Sequence, residues 1–194
     1  MADKHDVRSL IQRSKDGAVS NAELREVADV LEANQGGGDT YEFLYILARS
    51  EARSYEDLVA GFLEYRHDPM VARLALQTLC TFWGLTDKYR DAVSRFLKGV
   101  DWDYFGEVRQ IAITAAGEFL STNQDCVFLD QLLLLADSAN EEEVERRIAI
   151  EAIARALSLS LKESINPDLS SVTWEDWADG IRARGQERFA SECA

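Results

Sequence analysis

Residues 111–119 read Ile111-Ala112-Ile113-Thr114-Ala115-Ala116-Gly117-Glu118-Phe119, and the opening of this stretch has counterparts on both sides. Leu74-Ala75-Leu76 precedes it by 37 residues and Ile148-Ala149-Ile150 follows it by 37. Each copy keeps a small or apolar pair further on: Thr78-Leu79, Ala115-Ala116 and Ala152-Ile153. Phe82 and Phe119 stand seven residues past their alanines, and the third copy has Ala156 and Leu157 there. Recurrence at this period marks stacked supersecondary units, each burying its apolar face against the next. Such an array offers an extended surface and no ready-made reaction centre, so the pattern points to binding.

The segments ahead of these alanines repeat as well. Tyr55, Leu58 and Phe62-Leu63 return as Tyr89, Ala92 and Phe96-Leu97, then as Cys126, Leu129 and Leu133-Leu134, at spacings of 34 and 37. The unit is therefore a hairpin of an outer helix and an inner helix. Capping-box spacing at Ser20/Glu23, Asp39/Glu42 and Asn140/Glu143, with acidic variants at Ser54/Asp57 and Thr173/Asp176, divides the rest. Gly36-Gly37-Gly38 should end one helix, Pro69 fits a first helical turn, and Asn166-Pro167 marks a break. The predicted helices span 4–14, 20–34, 40–51, 54–66, 69–84, 87–98, 106–121, 125–137, 142–161 and 173–189, with no alternating strand.

Asp68-Pro69-x-Val71 and Glu107-Val108-Arg109 resemble the second-helix signature of HEAT-type, armadillo-like repeat proteins. Arg109 and Arg146 hold the position where that family places arginine. The earlier copy departs from it, with Ala72 there and Arg73 one step later. Val71 and Val108 lie four residues before their alanines, whereas Val144 lies five before its own. The resemblance implies an all-α protein: a right-handed α-solenoid of HEAT-like hairpins with terminal capping helices. Residues 1–194 are expected to form one domain, with clear repeats over about 40–161, N-terminal helices over 4–34 and a capping helix over about 173–189.

Charge is the unusual feature of the composition. Against 21 Lys+Arg stand 35 Asp+Glu, a net −14. Residues 1–100 carry 13 basic and 16 acidic side chains, and residues 101–194 carry 8 and 19. Such a field repels nucleic acid and anionic membranes and attracts basic partners. Cys80, Cys126 and Cys193 are odd in number and show no paired spacing, so neither a disulfide framework nor a thiolate metal site is expected. The N-terminus lacks a signal-peptide profile, and no apolar run approaches the ~20 residues of a spanning helix. The expectation is a cytoplasmic protein, monomeric when free.

Two clusters invite a binding role. Asp101-Trp102-Asp103-Tyr104-Phe105-Gly106-Glu107 packs three aromatics among three carboxylates in one loop, the composition of an interface hot spot. The competing account is that Trp102 and Phe105 plug the gap between repeats. Trp174-Glu175-Asp176-Trp177 opens the last helix, a position that suits either an anchor for a partner or a cap on the final repeat. Gln110, Thr114, Gly117 and Glu118, with Arg147, Glu151 and Arg155, are expected to form outward rows on the inner helices. Glu142 and Glu143 extend the acidic field at a helix start. The expected partner surface thus comprises Asp101, Trp102, Asp103, Tyr104, Phe105, Glu107, Glu118, Glu142, Glu143, Glu151, Trp174 and Asp176.

Catalytic signals are missing from the sequence pattern. His5 and His67 lie apart, and there is no His-x-x-x-His, phosphate loop or nucleophile elbow. No catalytic residue, metal or cofactor is therefore assigned. Small acidic chains of this kind are similar to the immunity proteins that bacteria pair with toxic nucleases, including those of contact-dependent growth inhibition. That likeness implies a protein that binds and occludes a basic toxin domain. A general HEAT-repeat adaptor or assembly factor is the alternative. A HEAT-like enzyme such as a chromophore lyase stands behind both, because neither His nor Cys clusters on the expected face.

Overall fold

The alternation of apolar stripe and cap resolves into helices throughout. The computed structural model describes residues 4–33, 39–137, 143–159 and 173–193. Among them the regular structure is entirely helical, with ten α-helices and no strand. The chain divides into two compact units, residues 1–85 and 86–194.

The first unit contains α1 (Lys4–Lys15), α2 (Asn21–Ala33), α3 (Thr40–Arg49), α4 (Glu56–Gly61) and α5 (Pro69–Gln77). Helix α3 supplies its centre, packing against α1, α2 and α5 through buried Leu44, Ile46 and Leu47. The Ser20/Glu23 box forms as expected: the Glu23 N–H donates to Ser20 Oγ and the Ser20 N–H donates to Glu23 Oε2. Arg13 also donates to Glu23, joining α1 to α2. Asp68 caps α5 by accepting from the Met70 N–H, with Pro69 in the first turn.

Four local expectations fail in this unit. Asp39 and Ser54 make no capping bond. The helix expected over 54–66 breaks into 3₁₀ turns on either side of a short α4, which ends at Gly61, a residue of low helix propensity. The helix expected over 69–84 ends at Gln77 and widens into a π turn, Thr78–Phe82. There the Thr78 hydroxyl donates back to the Leu74 carbonyl at 2.7 Å, and the Trp83 N–H reaches five residues back to the Thr78 carbonyl at 2.9 Å. The widened turn delivers Trp83 to the core at 2 % exposure.

The second unit holds α6 (Arg90–Leu97), α7 (Glu107–Leu120), α8 (Cys126–Asp137), α9 (Glu143–Ala156) and α10 (Trp174–Cys193). Helices α6 and α8 touch each other, and α7 and α9 touch each other most extensively. Helix α10 packs on α8 and α9. Ala112 and Ala149 are fully buried, as the repeat required. Gly117 does not lie on an outward row: a Cβ there would stand 2.6 Å from the Ala152 Cβ and 2.8 Å from its Cα. The absent side chain lets α7 and α9 approach to backbone contact.

Polar links between neighbouring helices keep nearly the same offset. Arg90 pairs with Asp125, and the Ser94 hydroxyl donates to Gln131 Oε1 at 3.2 Å. Arg109 pairs with Glu145 at 2.8 Å, and Arg155 approaches Glu118 at 4.0 Å. Asp125 also caps α8, accepting from the Val127 and Phe128 N–H groups at 2.9 and 3.0 Å. The expectation of no disulfide is corrected here: Cys126 and Cys193 are bonded, with Cα atoms 5.6 Å apart. A spacing of 67 residues carries no local pattern, and only the return of α10 to the start of α8 brings the two sulfurs together. Cys80 is buried and outside any disulfide, in keeping with a small hydrophobe.

The glycine turn at 36–38, the Asn140 cap, Glu142 and the break at 166–167 lie outside the described residues, as do the side chains of His5 and Glu143. No helix among the described residues is long and apolar enough to cross a membrane.

Candidate functional site

Gly99, at φ 85°, turns the chain away from α6 and opens the loop that leads to α7. Its underside is locked. Trp102 is 7 % exposed, its ring edge-on to Phe96 with centroids 6.1 Å apart. Asp103 Oδ2 accepts from the Val108 and Arg109 N–H groups at 2.9 and 3.0 Å, capping the start of α7. Gly106 takes the left-handed region at φ 66°, and a Cβ there would collide with the buried Glu145 carboxylate. Arg109 completes the brace, donating to the Leu97 carbonyl at 3.0 Å and to Glu145 at 2.8 Å.

The tip carries what the underside leaves out. Tyr104 and Phe105 are 81 % and 78 % exposed, two adjacent large aromatics turned to solvent. Asp101 is exposed beside them and Glu107 is half-buried. The segment read from sequence as one cluster therefore divides in two. Trp102 is buried as a plug, and half-buried Asp103 is engaged as a cap. Tyr104 and Phe105 face solvent, so Phe105 does not plug the gap between repeats.

A second group gathers at the start of α9. Consecutive residues point about 100° apart on a helix, so Glu145, Arg146 and Arg147 reach three different neighbours. Glu145 meets the braced loop. Arg146 donates to the Ala136 carbonyl at 3.3 Å and pairs with Glu175 at 2.8 Å. Its pairing with Glu175 holds that carboxylate below the ordinary range. Arg147 pairs with Glu151 at 3.3 Å and lies 5.3 Å above the Trp174 ring. Trp174 packs on Trp177 at 4.7 Å and stays 37 % exposed. Asp176 is occupied at the start of α10, accepting from the Thr173 hydroxyl and N–H, which lower its pKa.

Arg109 and Arg146, 37 residues apart, thus do the same work: each donates to a carbonyl at the end of the preceding helix and pairs with a glutamate beyond. Sequence reading marked both positions without assigning that bond. It missed Arg90/Asp125 altogether, because a pair 35 residues apart has no local signature. A groove of about 500 Å³ beside Arg109 is lined by Leu97, Lys98, Leu135 and Leu134, which is 63 % exposed. Among the described residues, no cluster of His, Cys, Asp or Glu has the makings of a metal site. His67 is exposed, with its ring edge-on to Tyr65. No family model, no curated protein and no solved structure matches this chain.

Proposed function

We propose that this chain is a non-catalytic protein-binding module that docks a basic partner on the 101–107 loop. The observation that carries the reading is the pair Tyr104 and Phe105, exposed at 81 % and 78 % on a loop braced from beneath. Two exposed aromatics gain nothing for the free fold. Held in place, they reach a partner with little ordering entropy left to lose. Rigid aromatic anchors with carboxylates around them suit a partner that offers an apolar pocket rimmed by Lys or Arg. The excess of 19 acidic over 8 basic residues in 101–194 adds long-range attraction.

The scaffold in this reading is a HEAT-like, right-handed stack closed by α10. Its support is the offset of 35–37 residues shared by Arg90/Asp125, Ser94/Gln131, Arg109/Glu145 and Glu118/Arg155, which matches the sequence period. The partner we infer is a nuclease-type toxin domain that the chain would occlude, with a general adaptor role as the competing outcome.

Binding kinetics against purified basic nuclease-type toxin domains test the reading. Asp101→Lys is expected to slow association and flatten its salt dependence, since exposed charges act through steering. Tyr104→Ala and Phe105→Ala are expected to accelerate dissociation, costing about 2–4 kcal/mol if each ring fills a pocket. Unchanged affinity in both sets, with folded protein, would remove the loop from the interface. Tight binding that leaves the toxin active would favour an adaptor.

A further inference from the structure

The end of α10 is held differently from its beginning. Ala178, Ile181 and Gly185 are buried, and Gly185 sits so close to Ile153 and Leu133 that a Cβ would fall within 3.0 Å of both. Past Gly185 no described residue of the helix is buried. Apart from half-buried Phe189, what fastens residues 186–193 is polar and covalent. Arg188 donates to the carbonyls of Leu120, Ala156 and Asn123 at 3.3, 2.6 and 3.4 Å, where α7 and α9 finish. Gln124 donates to the Glu192 carbonyl at 3.0 Å. The Cys126–Cys193 bond closes the seat, joining the first residue of α8 to the last of α10.

From this arrangement we infer that Cys126–Cys193 is a redox-labile clip that decides whether the last two turns of α10 stay docked. Both cysteines are half-buried, so a small thiol reaches the sulfurs, while Cys80 is buried and takes no part. The reductant is a dithiol. One of its thiolates attacks a cysteine sulfur, giving a mixed disulfide and expelling the other cysteine as thiolate. Its second thiol then displaces the chain and leaves as a disulfide. Two electrons and two protons pass to the protein, which gains two thiols. Arg188, half-buried, seats this end through backbone carbonyls, and water competes for those bonds once the covalent link is gone. In a thiol-buffered compartment the clip is open, and in an oxidising one it is closed. This inference does not depend on the partner proposed above.

Hydrogen exchange of the full chain, oxidised with glutathione disulfide and then reduced with dithiothreitol, tests it. Mapping without reductant should first show the Cys126 and Cys193 peptides linked. Reduction should then lower protection over residues 186–193 by about tenfold or more, leaving 174–185 protected. Cys193→Ser should show the low protection from the outset and ignore dithiothreitol, and Cys80→Ser should respond as the native chain does. Failure to recover the linked peptide after oxidation, or equal protection of 186–193 in both forms, would overturn the inference.

Discussion

Trp102 and Tyr104 stand two residues apart and should respond to truncation very differently. Trp102 is 7 % exposed against Phe96, so Trp102→Ala leaves a cavity and is expected to cost about 3–5 kcal/mol in chemical denaturation. Tyr104→Ala removes a ring that is 81 % exposed and should change stability by less than about 0.5 kcal/mol. An equal loss for both would mean that the loop packs as one plug. The sequence revealed an unusual aromatic loop but not its division, because inward and outward positions depend on the φ of Gly99 and Gly106 and on Glu145 beneath. No periodicity governs such a loop. Asp103 was likewise legible as a carboxylate and not as a cap, since its acceptor bonds reach five and six residues ahead.

At the level of helices much more was legible. The recurring alanines fixed α5, α7 and α9, and their burial follows from period and size alone. Gly117 was misread, because a glycine among polar neighbours looks solvent-facing unless the crossing helix is known. Gly117→Ala should therefore destabilise despite its gain of up to about 1 kcal/mol in helix propensity, because the new methyl would meet the Ala152 backbone 2.8 Å away. The net loss is expected to be about 1–3 kcal/mol in urea denaturation. A stabilised variant would mean that α7 and α9 stand further apart. Helix ends tell a similar story. The boxes at Ser20/Glu23 and Thr173/Asp176 form, while Asp39 makes no capping bond, so spacing proposes a cap and local backbone decides it.

For the whole molecule, charge sets two opposing trends with pH. The net −14 at pH 7 shrinks toward zero near the isoelectric point of about 4.6, which relieves self-repulsion. Below that point specific pairs fail. Arg13 beside Glu23 lowers its pKa to about 2. Burial pushes Asp125 up, but its bonds from Arg90 and the Phe128 and Val127 N–H groups outweigh that and hold it below the ordinary aspartate range. A lowered folded pKa means stability present above the unfolded value and lost as pH falls through the folded one. The melting temperature should hold or rise from pH 7 to about 5, then fall from about pH 4.5 toward 2. A steady decline from pH 7 would show that another group governs. One further consequence follows from Glu145, which belongs to α9 yet lies against Gly106 and Arg109 beneath the aromatic tip. Thermodynamic reciprocity sets the terms of any coupling through it: whatever free energy a ligand at the tip adds to α9 is the free energy by which loosening α9 weakens that ligand. Amide exchange along 144–156 should slow on complex formation, although no residue of that segment need touch what is bound.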